Sequence, residues 1–129
     1  MRHLALIVSK NMKRLKTLSD SAQKAGFSVN CANDTKQAST LVVRYSDDYH
    51  VIVLDQNATG KETDNFIKGT RGNAPKSRVL LVTQGDPDIE FSDIMVTVAS
   101  EESAGNLLPR LKREVTRYRS NPLGNINAG

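Results

Sequence analysis

The sequence predicts an α/β fold in which a five-stranded parallel sheet carries helices on both faces. Short apolar runs suited to buried strands alternate five times with segments whose apolar residues recur at helical spacing. The connections between these segments are short, and right-handed crossovers between successive strands then make the sheet parallel. At 129 residues the chain has the length of a single domain.

The composition is that of an ordinary soluble protein, with 38% hydrophobic and 25% charged residues. No apolar run approaches the roughly 20 residues that a membrane helix needs. The single cysteine, Cys31, excludes an internal disulfide and leaves no metal-ligand cluster. It lies on an alternating segment, where we expect it to be buried as a small hydrophobic side chain. These features predict a cytoplasmic protein without a membrane segment or a resident metal.

Five segments have the pattern of strands, at residues 3–9, 27–31, 50–54, 78–83 and 94–98. The third is the most informative, because four branched apolar residues in a row indicate a strand that is buried on both faces. Asp55 follows this run directly. In open α/β sheets, ligands bind at the edge where the carboxyl ends of the strands lie. Asp55 is therefore the first candidate for a functional residue.

The helices are indicated by their end signals. Gly26 stands where the first helix should end in a left-handed cap. Either Asn33 or Asp34 can cap the second helix. A weak helix is expected over residues 62–68, and residues 69–75 have the composition of a loop.

The C-terminal part of the chain is expected to differ from a regular α/β pattern. Residues 84–93 have room for at most a turn or two of helix. Ser100 should cap the last helix, and Pro109 should kink that helix or mark its true first turn. We expect one domain over residues 1–119, followed by a linker or disordered tail over residues 120–129.

The expected strand order is 2-1-3-4-5, the flavodoxin-like order of a doubly wound sheet, with the switch point between strands 1 and 3. This order places Ser9, Lys10 and Asp55 side by side at one rim. Thr83 and Ser100, which follow the fourth and fifth strands, complete that rim.

The sequence resembles the receiver domain of two-component response regulators over residues 1 to about 119. The resemblance is carried by residues 7–11, 25–29 and 48–55 and by a fourth strand that ends in Thr83. It implies that Asp55 is the position phosphorylated by transfer from a histidine kinase. It also implies that Asn57 stands where a backbone carbonyl binds the metal, and that Thr83 stands where a hydroxyl contacts the phosphoryl group.

The sequence departs from the receiver pattern at most of the positions that would make Asp55 reactive. Receivers carry two acidic residues after the first strand to bind Mg²⁺, whereas this chain has Ser9 and Lys10. No lysine lies between Lys76 and Lys112, so the lysine that receivers place after the fifth strand is missing. The fifth strand has no aromatic residue, and the fourth helix, between strands 4 and 5, is expected to be short or missing.

Lys10 leaves two possibilities open. It could lie close to Asp55 as a built-in cation where the metal would be, or it could form a partly exposed salt bridge of at most about 1 kcal/mol. Neither arrangement restores phosphoryl transfer. We therefore expect a pseudo-receiver that is not an enzyme and that binds no cofactor.

The resemblance implies a signalling or transcription regulator that acts through protein partners, with a homodimer and a C-terminal output domain as the expected context. The alternative is a working phosphoacceptor that uses Asp55 with Mg²⁺ in a non-standard site. Basic residues crowd the first and last helices, within residues 10–16 and 110–119. A solvated helix face is the favoured interpretation of both clusters, so we do not expect direct binding to nucleic acid.

Overall fold

The computed structural model describes residues 3–56, 63–83 and 96–120. Its five strands form one parallel sheet in the order β2-β1-β3-β4-β5, which confirms the predicted order. The strands are β1 (Leu4–Val8), β2 (Ser28–Ala32), β3 (Tyr49–Asp55), β4 (Arg78–Thr83) and β5 (Val96–Ser100). Every residue of β3 is buried, as expected for the central strand of a sheet that is covered on both faces.

Four α-helices connect or follow these strands in the described residues. They are α1 (Met12–Lys24), α2 (Thr35–Tyr45), α3 (Thr63–Asn73) and α4 (Glu101–Ser120), and a 3₁₀ turn (Ser46–Asp48) precedes β3. Asp34 caps α2 by accepting a hydrogen bond from the backbone N–H of Gln37 at 2.8 Å. Gly26 follows α1 with a φ of 98°, which confirms the predicted left-handed end of that helix.

The sheet separates two hydrophobic layers. On one face α1 and α4 pack over β1, β3 and β4, with Leu18 and Leu108 among the fully buried side chains. On the other face α2 and α3 pack over the same strands, and Val42 and Tyr49 lie in that layer. Burial raises the pKa of the Tyr49 hydroxyl, and the hydrogen bond that Asn30 Nδ2 donates to it at 2.9 Å offsets part of this effect.

The predicted loop over residues 69–75 is wrong in its first part, because α3 continues to Asn73. Asn73 Nδ2 donates a hydrogen bond to the carbonyl oxygen of Gly69 at 3.0 Å. The backbone N–H of Ala74 donates to the carbonyl oxygen of Thr70 at 2.7 Å. Thr70 and Ala74 are both buried. Packing of the helix end against the sheet therefore overrides the low helix propensity of its two glycines.

Three expectations for single residues have different outcomes. Cys31 is exposed rather than buried, because β2 is an edge strand of the sheet. Ser100 caps α4 as predicted, since its Oγ accepts a hydrogen bond from the N–H of Ser103 at 3.2 Å. Pro109 is the ninth residue of a helix that begins at Glu101, so it does not mark the first turn. Its ring lies on the exposed side of α4.

The segment expected to hold a shortened fourth helix, residues 84–93, lies outside the described residues, as does the expected tail over residues 120–129 except for Ser120. Helix α4 extends one residue past the predicted domain boundary at residue 119. None of the helices in the described part of the chain is long and apolar enough to cross a membrane.

Candidate functional site at the carboxyl edge of the sheet

Asp55 is the last residue of β3, at the centre of the carboxyl edge of the sheet. Its register partner on β4 is Val82, and the residue before it pairs with Val8 at the end of β1. The side chain of Asp55 is only 1% exposed. A carboxylate at such a depth is stable only when other groups supply hydrogen bonds or charge in place of water.

Ser9 supplies one of these hydrogen bonds. It follows β1 directly, and its backbone N–H donates to the carbonyl oxygen of Ala32 at 3.1 Å, which fixes the chain at the top of the sheet. Its hydroxyl donates to Asp55 Oδ2 at 2.8 Å and accepts from the backbone N–H of Asn11 at 3.1 Å. Ser9 is itself fully buried. The β1–α1 turn thus holds a neutral donor against the carboxylate.

Arg14 supplies a positive charge beside the Asp55 carboxylate. It lies in the first turn of α1, and its Nη1 is 3.0 Å from Asp55 Oδ1 and 3.1 Å from Oδ2. The Arg14 side chain is 12% exposed, so the guanidinium covers the buried carboxylate from the solvent side. Asn11 caps α1 by accepting a hydrogen bond from the N–H of Arg14 at 3.1 Å, which also fixes the backbone from which the guanidinium extends.

Lys10 is not the cation at this site. It is exposed, and it forms no ion pair with any residue in the described ranges, so neither form of the predicted Lys10–Asp55 contact is present. Arg14 takes this place because the N-terminus of a helix that follows a strand lies at the same edge as the strand ends. The signal available in the sequence was an arginine three residues after the helix cap at Asn11.

The remaining predicted site residues lie along the same edge or outside the described part. Thr83 ends β4, is buried, and donates a long hydrogen bond of 3.5 Å to the carbonyl oxygen of Ala99. Ser100 ends β5 beside Thr83 in the register, with its hydroxyl engaged in capping α4. Asn57 lies outside the described residues. The structure therefore brings Ser9 and Asp55 into contact and aligns Thr83 and Ser100 along the rim.

Among the described residues, the side chains in contact with Asp55 do not fit a divalent cation. Both carboxylate oxygens contact the Arg14 guanidinium, and a metal ion would need one of those positions. Mg²⁺ and Ca²⁺ bind hard oxygen ligands, and carboxylates are the strongest of these. Within the described ranges, no group of three or more His, Cys, Asp or Glu residues is placed to hold a metal ion. In chemical terms the site is a neutralised buried carboxylate.

Known structures share this architecture at low sequence identity. A response regulator from Burkholderia pseudomallei, solved with a phosphorylated aspartic acid, a calcium ion and citrate, superposes with a TM-score of 0.67 and 16% identity, covering 95% of this chain and 75% of that one. The receiver domain of AraT from Geobacillus stearothermophilus gives a TM-score of 0.69 and 14% identity, covering 92% and 99%.

A receiver domain from Bacillus halodurans gives a TM-score of 0.73 and 10% identity, covering 89% of this chain and 97% of that one. No protein-family model and no curated protein sequence matches this chain. The similarity thus lies in the order and packing of the strands and helices, which persist where the sequences have diverged. The chain has the fold of response-regulator receiver domains.

Proposed function

We propose that this chain is a pseudo-receiver, a signalling module that acts through protein–protein contacts without phosphorylation of Asp55. The observation that carries the proposal is the clamp formed by Ser9 and Arg14 on both oxygens of the buried Asp55 carboxylate. A carboxylate that attacks a phosphoryl group must present an accessible oxygen in line with the leaving group. Here both carboxylate oxygens contact Arg14, and Oδ2 also accepts a hydrogen bond from Ser9.

The charges around Asp55 support the same proposal. Phosphoryl transfer places several negative charges next to the attacking carboxylate, and a bound metal ion stabilises them by several kcal/mol. Ser9 and Lys10 replace the acidic residues that would hold such an ion. The described cation in contact with Asp55 is the Arg14 guanidinium, which belongs to the chain itself. A built-in ion pair suits a docking module rather than a phosphorylation switch.

The wider context is proposed from the resemblance to receivers. We infer a domain over residues 1–119, a linker over residues 120–129, an output domain beyond it, and a homodimer in the cytoplasm. Transcription regulation is the proposed setting. We infer no enzymatic activity from the same resemblance, because receivers are signalling modules.

The proposal is tested with small phosphoryl donors and analogues. The ¹⁵N-labelled protein is incubated with Mg²⁺ and either acetyl phosphate or beryllofluoride, and the backbone amide signals of Ser9, Asp55 and Thr83 are followed. We expect no change. A conventional receiver domain treated in parallel serves as the positive control. Amide shifts at these three residues that Asp55→Asn abolishes would show a working phosphoacceptor and defeat the proposal.

The second candidate is that working phosphoacceptor with a non-standard metal site. It is favoured by one observation, the position of Asp55 at the end of the central strand with Thr83 at the end of the next. It requires Arg14 to leave the carboxylate. Amide shifts at Ser9, Asp55 and Thr83 on addition of beryllofluoride and Mg²⁺ would favour this candidate.

A further inference from the structure

A cleft lies between α2 and α3, on the face of the sheet opposite α1 and α4. Its wider part has a volume of about 240 Å³ and begins beside the first turn of α2. A narrower part of about 100 Å³ continues between the two helices and shares three of the same residues. We call both parts together the α2–α3 cleft, whose lining includes Lys36, Ser39, Asn65, Phe66, Gly69 and Thr70.

Gly69 keeps this cleft open. A Cβ at Gly69 would meet no atom within 4 Å apart from the adjoining helix backbone, so no close contact requires glycine here. Its backbone is not left-handed either, since Gly26 is the glycine with a positive φ among the described residues. Glycine destabilises the interior of a helix relative to alanine. A bound ligand would give Gly69 a purpose, because glycine allows close approach to the backbone.

Several polar side chains of the cleft can make further hydrogen bonds. Thr70 is only 3% exposed, and its hydroxyl has no hydrogen-bond partner among the described residues. Ser39 and Asn65 border both parts of the cleft, and their side chains also make no hydrogen bond within the described ranges. A buried hydroxyl without a partner is unfavourable, so a polar ligand in the cleft would be stabilised by these groups.

Lys36 and Phe66 define the chemistry of the ligand. Lys36 carries the one charge among the described residues that line the cleft, and it forms no ion pair with any of the residues described. It lies in the first turn of α2, where the helix adds a partial positive charge. Phe66 is partly buried and packs against the hydrophobic layer beneath the cleft. The lining therefore favours a ligand with a negative group and an apolar body.

We propose that the α2–α3 cleft binds a small organic carboxylate, with the carboxylate at Lys36 and Ser39 and the apolar body against Phe66. Drug-sized ligands fill cavities of roughly 300–1,000 Å³, so the cleft suits a ligand of about one ring. The inference goes beyond the proposed function, because none of the residues of the Asp55 clamp lines this cleft.

The test uses benzoate as the probe, titrated into the ¹⁵N-labelled protein to about 20 mM at neutral pH and constant ionic strength. Saturable amide shifts are expected over residues 35–42 and 65–73, with a dissociation constant in about the millimolar range for so small a ligand. Benzamide has the same shape without the charge and should bind about fivefold more weakly. Acetate lacks the apolar body and should also bind more weakly than benzoate.

The shape of the cleft is tested by a matched pair of glycine variants. Gly69→Leu places a side chain in the cleft and should weaken benzoate binding about tenfold or more. Gly72→Leu is the control, because Gly72 has the same open surroundings in the same helix but does not line the cleft, and it should retain binding. Both variants should keep or raise the Tm, since leucine favours a helix more than glycine does.

The charge is tested by a matched pair of lysine variants. Lys36→Gln should reduce benzoate binding to the level of benzamide, whereas Lys68→Gln, at an exposed lysine of α3 outside the cleft, should retain it. Equal binding of benzoate and benzamide, equal losses within either pair of variants, or no saturable shift of these amides would each overturn the inference. The beryllofluoride experiment reads other amides, so benzoate binding can fail while the proposed function stands.

Discussion

At the scale of single residues, the Arg14–Asp55 pair is the unusual feature, because one partner is buried and the other lies near the surface. Asp55 is 1% exposed and Arg14 is 12% exposed. A buried ion pair gives little net stability compared with apolar residues, but removal of one partner leaves an uncompensated charge at high cost. The pair therefore fixes the position of the first turn of α1 relative to the end of β3. Ser9 adds a third group that depends on the same carboxylate.

We expect Arg14→Ala to lower the free energy of unfolding by roughly 2 to 4 kcal/mol, somewhat less than for a pair with two fully buried partners. Urea unfolding followed by circular dichroism measures this value. The matched control is Lys13→Ala, the exposed neighbour, which should change stability by less than about 0.5 kcal/mol. Addition of Asp55→Ala to the Arg14 variant should recover part of the loss. Equal free energies of unfolding for Arg14→Ala and Lys13→Ala would show that the ion pair does not stabilise the fold.

Sequence patterns identify Asp55 and fail for Arg14 and Cys31, for different physical reasons. Asp55 follows a run of four buried residues, and the end of such a strand has a defined place in any doubly wound sheet. The reach of Arg14 depends on the entry angle of α1 and on side-chain rotamers, which spacing does not encode. Cys31 alternates like a buried residue, but its exposure depends on β2 being an edge strand.

At the scale of elements, the β1–α1 turn positions the clamp. Ser9 is the first residue of the turn, and its backbone N–H donates to the sheet at Ala32. Asn11 caps the helix by accepting a hydrogen bond from the backbone N–H of Arg14. The cap therefore orients the first helical turn and the guanidinium together. The elements themselves were largely predictable, because helical and strand periodicities differ. The end of α3 was not, since tertiary packing of Thr70 and Ala74 extends the helix through two glycines.

We expect Asn11→Ala to destabilise the protein by about 1 kcal/mol through loss of the helix cap. Asn11→Asp is the conservative control, because aspartate accepts the same hydrogen bond and also suits the positive end of the helix. Urea unfolding measures both. The alanine variant should also shift the Asp55 amide signal, since the cap and the ion pair share Arg14. A cap loss that leaves the Asp55 signal unchanged would contradict this coupling.

At the scale of the whole molecule, apolar packing on both faces of the sheet accounts for the receiver fold of the described residues. The two hydrophobic layers cover both faces of β1, β3 and β4, so the sheet is held by apolar packing rather than by its carboxyl edge. The overall fold was accessible from sequence for the same reason, because strand order follows from alternation and crossover handedness. The chemistry at the carboxyl edge of the sheet was not accessible from sequence in the same way, because it depends on side chains that the fold leaves free to vary.

It follows that Mg²⁺ should not stabilise this protein. A ligand that binds only the native state raises stability by RT ln(1 + [L]/Kd), so a Tm unchanged by about 10 mM Mg²⁺ at constant ionic strength indicates that the ion does not bind. The double variant S9D/R14Q removes the guanidinium and adds a second carboxylate beside Asp55. We expect it to gain Mg²⁺-dependent stability, about 1.4 kcal/mol at ten times Kd, or roughly 5 °C in Tm.

The control for this gain is S9A/R14Q, which opens the same space without adding a carboxylate and should not respond to Mg²⁺. The comparison separates the loss of the Arg14 clamp from the gain of a metal ligand, because only the second supplies the hard oxygen donors that Mg²⁺ requires. A rise in the Tm of the unmodified protein with Mg²⁺ that Asp55→Asn removes would place a metal at the carboxylate. Mg²⁺ would then displace Arg14 from the Asp55 carboxylate, and the Arg14–Asp55 ion pair would not be a permanent substitute for the metal ion.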